Sequence, residues 1–168
     1  MTQKDKEDFL VQLEEHKLII YKICNSYCKN VSDRDDLVQE ISYQLWKSFR
    51  HFNGSVKFST WMYRVALNVA ITFYRKTKTN EAIIQLGETD AEIEDSKENT
   101  GELEKNINTL QQFINELKVL DKALMILYLE EKTYREISEI LGITETNVAT
   151  RISRIKDKLK QRFSTINN

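Results

Sequence analysis

The sequence predicts an all-α fold: two small helical domains joined by a flexible acidic linker, the C-terminal one containing a helix-turn-helix. Three observations predict it. Proline is absent and glycine occurs only four times in 168 residues, so long helices with few breaks are expected. Apolar residues recur at three- and four-residue spacing, and no stretch of useful length alternates with the period of a strand. Between two such helical stretches, residues 88–104 (ETDAEIEDSKENTGELE) hold eight acidic side chains against Lys97, a composition too polar and charged to build a core. The expected boundaries are 1–80, 81–104 and 105–168.

The first domain opens with residues 8–29, where Phe9, Leu10, Leu13, Leu18, Ile19, Ile20, Ile23 and Tyr27 predict an amphipathic helix or two short ones. The chain breaks at Lys29-Asn30-Val31, and Ser32 is the expected cap of the next helix, with Asp33, Asp35 and Asp36 suiting the positive end of its dipole. In that helix Leu37, Ile41, Leu45 and Phe49 form an i,i+4 ladder, flanked by Val38, Trp46 and Phe52. Asp35, Asp36, Gln39 and Glu40 make an acidic and amide patch on the other face. Asn53-Gly54-Ser55 signals a turn. The helix after it carries Trp61, Tyr63, Phe73 and Tyr74 around a stripe containing Val65 and Val69.

Charge is distributed unevenly. Lys and Arg total 25 and Asp and Glu 26, a net charge of −1, yet no acid occurs between Ile41 and Asn80. That interval holds Lys47, Arg50, Lys57, Arg64, Arg75, Lys76 and Lys78. Aromatics interleaved with bases and free of acids suit stacking on unpaired nucleotides beside a phosphate backbone. The competing reading places the aromatics in the core, which is expected for Trp46 and Phe49; for Lys57 to Tyr63 both readings stay open.

In the second domain, INTLQQFINELKVLDKALMILYLEEK supplies two helices beneath the helix-turn-helix. Thr133 and Glu136 have capping-box spacing, Ile137, Ile140 and Leu141 form one stripe, and Gly142 stands where a left-handed helix end is wanted. Thr144 can cap a second helix with Val148, Ile152, Ile155 and Leu159 inside. Thr150, Arg151, Ser153, Arg154, Lys156 and Lys158 remain outside, a surface suited to a DNA major groove. An ordinary helical hairpin with a solvated basic face is the plain alternative.

Catalytic chemistry has no visible basis. The chain has no Gly-rich phosphate loop, zinc-ligand spacing or nucleophile elbow, and only two histidines, His16 and His51. No cofactor or metal is expected. Cys24 and Cys28 with His16 lack a fourth ligand, and two reduced, partly buried thiols are expected instead. The polar start and the lack of a long apolar run predict a cytoplasmic protein with no membrane insertion of its own.

Two runs resemble a known family. DRDDLVQEISYQLWKSFRHFNGSVKFSTWMYRVALNVAITFYRK closely resembles the second conserved region of bacterial sigma factors. LDKALMILYLEEKTYREISEILGITETNVATRISRIKDKLKQRF looks like their fourth region. With no recognisable first or third region, the chain resembles the compact extracytoplasmic-function group of the sigma-70 family. The resemblance implies that Asp35, Asp36, Leu37, Gln39 and Glu40 meet the clamp helices of the RNA polymerase largest subunit. A further contact to the polymerase flap, promoter DNA and an anti-sigma factor are implied partners.

The same resemblance implies minus-ten recognition and melting by Lys57, Phe58, Ser59, Thr60, Trp61, Arg64, Asn68, Arg75 and Lys76. A base flipped into a pocket formed by the loop from Phe52 to Thr60 and the following helix would reach Asn68. Minus-thirty-five contacts are implied for Thr133, Thr144, Thr146, Asn147, Thr150, Arg151, Ser153, Arg154 and Lys158. Many relatives carry a base where this chain has Ala149. The acidic linker resembles the segment that relatives thread through the polymerase cleft. Two other readings compete: a helix-turn-helix regulator acting without polymerase, and a helical adaptor with no nucleic-acid role.

Overall fold

In the computed structural model, residues 2–85 and 101–166 are described. Among them the regular elements are all helices: α1 (Gln3–Tyr27), α2 (Val31–Phe49), α3 (Phe58–Gln85), α4 (Glu102–Glu116), α5 (Val119–Leu129), α6 (Tyr134–Leu141) and α7 (Glu145–Ile166).

Residues 8–27 belong to one helix rather than two, and it begins earlier than the apolar pattern does. A capping box at Thr2 and Asp5 starts it, with the Thr2 amide donating to Asp5 Oδ2 at 2.7 Å. Asn30, not Ser32, caps α2: its Oδ1 accepts from the Asp33 amide at 2.7 Å. That leaves Ser32 inside the first turn. The Leu37-Ile41-Leu45 ladder is fully buried.

The buried stripe of α3 is rotated from the expected one. Met62, Tyr63, Ala66, Leu67 and Ala70 are interior, while Val65 and Val69 are only half-buried. Two alanines in the stripe let α1 and α2, both packed on α3, approach closely. At Asn53-Gly54-Ser55 the Asn53 side chain accepts from the Ser55 amide at 3.0 Å, and Gly54 takes φ +72°. α3 runs on through Gln85 and α4 opens at Glu102, so helix intrudes on both edges of the span 81–104. Its middle, 86–100, lies outside the described residues.

The helix-turn-helix forms as the sequence predicts. Thr133 and Glu136 complete their capping box, and Gly142 ends α6 at φ +67°, where a Cβ would be strained. Val148, Ile152 and Ile155 are buried, with Leu159 half-buried beside them.

The two halves pack on each other through α3 against α5 and α6 and α1 against α4. Tyr27 Oη donates to the Val119 carbonyl at 2.9 Å, and Lys22 pairs with Glu130. Burial, followed by the nearby Glu130 carboxylate, raises the Tyr63 phenol well above its ordinary range.

Cys24 and Cys28 are free and buried. Burial and the neighbouring Cys28 push the Cys24 thiol up to about 12, with Arg34 opposing; burial and Asp33 push Cys28 up to about 11. Both thiols therefore stay neutral at pH 8. In the native chain iodoacetamide should label them at least about a hundredfold more slowly than in the denatured chain. Mass spectrometry against time checks this, and rapid native labelling would contradict the burial.

Candidate nucleic-acid and polymerase interface

Three exposed faces result from this packing. On α2, Asp35, Asp36, Gln39 and Glu40 are exposed, as the solvent side of a helix whose ladder is fully buried must be. Leu37 departs from the expected set: it is fully buried and anchors the helix from inside.

On α3, Trp61, Arg64, Asn68, Thr72, Arg75 and Lys76 fall on one face at about 100° per residue, opposite the buried stripe. Phe58 and Thr60 depart from expectation because they are buried at 8% and 5% exposure. Phe58 is held between Phe52 and Trp61, at ring-centroid distances of 5.7 and 5.3 Å. Trp61 is half-buried and also leans on Phe52 at 5.1 Å. The aromatics around the loop are thus largely a packed cluster joined by Phe9, Trp46 and Phe49. Lys57 is exposed, Ser59 half-buried.

Asn68 stands apart from that loop, two turns beyond Trp61. With Asp36, Glu40, Gln44, Val69, Thr72, Phe73 and Lys76 it lines a groove of about 610 Å³ between α2 and α3. The acidic patch and the α3 base face therefore share an edge. Gln44 and Thr72 complete the groove and were missed in the sequence, although Gln44 follows Glu40, and Thr72 follows Asn68, by one helical turn.

Arg64 is engaged within the chain: its Nη2 donates to the Glu139 carbonyl of α6 at 3.0 Å. Arg75 and Lys76 are exposed.

On α7, Thr146, Thr150, Ser153 and Arg154 form the centre of the exposed face, with Asn147 and Lys158 on its flank. Thr133 and Thr144 spend their hydroxyls as helix caps, accepting from Glu136 and Asn147 amides at 3.1 Å each. Arg151 is only half-exposed, because Nη1 pairs with Asp121 Oδ1 at 2.9 Å and Nε donates to Asn147 Oδ1 at 3.0 Å. Lys156 leaves the outer set: its Nζ lies 4.3 Å from the centroid of the Tyr128 ring.

The fold and these faces define a two-unit helical protein with a helix-turn-helix in its second unit. Two family models match it, "Sigma-70 region 2" over residues 13–79 and "Sigma-70, region 4" over residues 107–159. The ECF RNA polymerase sigma factor SigW of Bacillus subtilis (strain 168) is 30% identical over 172 residues, spanning 95% of this chain and 90% of the relative. SigV of the same organism is 28% identical over 153 residues, covering 90% and 89%. The ECF sigma-E factor of Haemophilus influenzae is 25% identical over 179 residues, covering 99% and 93%.

The chain thus belongs to the extracytoplasmic-function sigma factors of the sigma-70 family, which direct RNA polymerase to promoters. Among solved structures, its fold is similar to the sigma factor RpoE in complex with the anti-sigma factor NepR from Bartonella quintana. That match has a TM-score of 0.65 at 17% identity, covering 97% of this chain and 98% of that one. CnrH in complex with the cytosolic domain of CnrY gives a TM-score of 0.67 at 17% identity, covering 95% and 90%. No helix among the described residues is long and apolar enough to cross a membrane.

The Asp121–Arg151 pair ties α5 to α7. A double-mutant cycle with Asp121→Ala and Arg151→Ala should return a coupling of about 0.5–1 kcal/mol, modest because Arg151 remains partly solvated. Urea denaturation measures it, and zero coupling would remove the pair as a helix tie.

Proposed function

We propose how this sigma factor divides its labour between its faces. Residues 1–80 form the unit that binds core polymerase and opens the minus-ten element; 105–168 form the unit that holds the minus-thirty-five element. The observation that carries this is the shared edge of α2 and α3, where Asp36 and Glu40 meet Asn68 and Lys76. A protein surface seated on the acidic side brings the nucleic-acid side beside the opened strand.

The exposed Asp35, Asp36, Gln39 and Glu40 would pair with the basic clamp helices of the largest polymerase subunit. Leu37 supports them from beneath. Lys57, Ser59, Trp61, Asn68, Arg75 and Lys76 would take the non-template strand, stacking on it and holding its phosphates. Phe58 and Thr60 would set the loop rather than touch DNA. Arg64 could join that set only after releasing the Glu139 carbonyl.

In the major groove, Arg154 is the residue for a base edge, with Thr146, Thr150 and Ser153 beside it. Arg151, Asn147 and Lys158 flank this set, while Thr133 and Thr144 place the helix. Aimed past promoter DNA, the second unit would also meet the polymerase flap. We read the chain as non-catalytic, consistent with its family. We propose further that an anti-sigma factor holds it when idle, as the two structurally similar proteins are held in their complexes, and that it works in the cytoplasm.

Run-off transcription with core enzyme and a genomic promoter library tests the whole reading. Start-site-specific transcripts are expected only when the protein is added, and their absence would overturn it. Tight binding of duplex DNA as a dimer without polymerase would instead favour a free-standing regulator.

Two substitutions test the faces. Gln39→Ala with Glu40→Ala should weaken core binding without changing the melting temperature, since both residues are exposed; unchanged affinity removes that assignment. Arg154→Ala should cost about 1–3 kcal/mol and relax one position of the upstream element. Uniform weakening across all promoter sequences would make Arg154 a phosphate contact.

A further inference from the structure

A cavity of about 330 Å³ lies where the two halves of the chain meet, and none of the contacts proposed above uses it. Its wall includes Lys29 beyond the end of α1, Arg34 of α2, Lys78 of α3 and Lys122 of α5. Among the described residues, two carboxylates line the cavity with these four cations. Glu81 pairs with Lys78 at 3.2 Å, and Asp33 accepts from Asn30 Nδ2 at 2.7 Å as part of the α2 cap.

Lys122 is the unusual member. It is 3% exposed, on a helix whose next five residues are also buried. Among the described residues its ammonium group meets neither a carboxylate nor a hydrogen-bond acceptor. Its Nζ stands 5.3 Å from the ring centroids of both Tyr27 and Tyr74, which line the same cavity. Those ring faces stabilise a cation but do not replace a counter-ion. An ammonium that reaches only the cavity and meets no counter-ion among the described residues is poorly compensated. Arg34 adds a second deficit, because its Nε is buried without a partner among the described residues.

Burial, with Lys29 and Lys78 next in weight, depresses the Lys122 pKa, so the lysines are close enough to repel one another. A water-filled seam between packed domains would explain the volume. It would not explain why three further cations line it beside one buried lysine.

We propose that this cavity is an anion site for a phosphate-type dianion, either free phosphate or the phosphoryl group of a small metabolite. Its volume admits a phosphoryl group with part of an attached molecule. The bound oxygens would supply the counter-charge that Lys122 lacks, and would neutralise Lys29, Arg34 and Lys78 around it. Because Lys122 comes from α5 and the other three from the α1–α3 unit, occupancy would clamp the two halves together. That arrangement keeps Arg64 on the Glu139 carbonyl, so the ligand would favour the idle form of the factor.

Isothermal titration of the full chain with sodium phosphate at pH 8, with ionic strength held constant by sodium chloride, tests the site. Saturable one-site binding is expected, weakened at least tenfold by Lys122→Met and severalfold by Lys78→Ala. Should Lys122→Met fail to fold, Lys29→Ala combined with Lys78→Ala, both at exposed positions, takes its place with the same expected loss. Adenosine monophosphate and glucose 6-phosphate run as parallel arms. Tighter binding of either assigns the site to a phosphate monoester, and tighter binding of inorganic phosphate assigns it to the free ion. Binding that chloride matches at equal ionic strength, or that these cavity substitutions leave unchanged, would overturn the proposal.

Discussion

The buried stripe of α3 is the constraint on which the rest depends. Met62, Ala66, Leu67 and Ala70 are essentially inaccessible and pack against α1 and α2. Tyr63, also interior, reaches toward the second half: its ring lies 5.5 Å from Lys132 Nζ, and Glu130 stands beside its phenol. One helix therefore closes the first core and carries the joint between the two units. Its opposite side has no core to enter, and that is where Trp61, Asn68, Arg75 and Lys76 are displayed. The exposed basic face and the core are two sides of one packing decision.

Several groups suited to binding are engaged within the folded chain. Arg64 holds a carbonyl of α6, Arg151 pairs with Asp121, and Lys122 is enclosed between two tyrosines. These engagements differ in what releasing them would require. Arg64 and Arg151 keep part of their solvent contact; Arg64 is held by one hydrogen bond and Arg151 by an ion pair and a hydrogen bond to Asn147, each of modest worth. Lys122 is enclosed at the joint, where it lines the cavity between the two halves. Opening the joint would expose that ammonium more fully, a term that favours separation, while the loss of the Tyr27–Val119 hydrogen bond and the apolar contacts opposes it.

Local signals were legible wherever a short-range physical rule governs them. The capping box at Thr133, the left-handed Gly142 and the Asn53 turn all depend on residues within a few positions of one another, and each formed as read. The inner face of α7 was legible for the same reason, because a strongly one-sided pattern leaves a single choice of burial. The reading failed where several candidates satisfy the same local rule. Ser32 and Asn30 can both cap a helix, and only the path of the chain out of α1 selects Asn30. Val65 and Val69 looked as buriable as Leu67, and the positions of α1 and α2 rotated the stripe away from them.

By itself the sequence determined the helical class, the separation into two units about an acidic stretch, the helix-turn-helix and the acid-free segment, since composition and periodicity act along the chain. The family followed from the same residues, in two motifs in order. Tertiary structure alone decided that Leu37, Phe58 and Thr60 lie inside, and that Asn68 shares an edge with Asp36 and Glu40. It alone gathered Lys29, Arg34, Lys78 and Lys122, spread over more than ninety residues, around one cavity. Burial and convergence depend on which helices meet, and no spacing along the chain encodes that meeting.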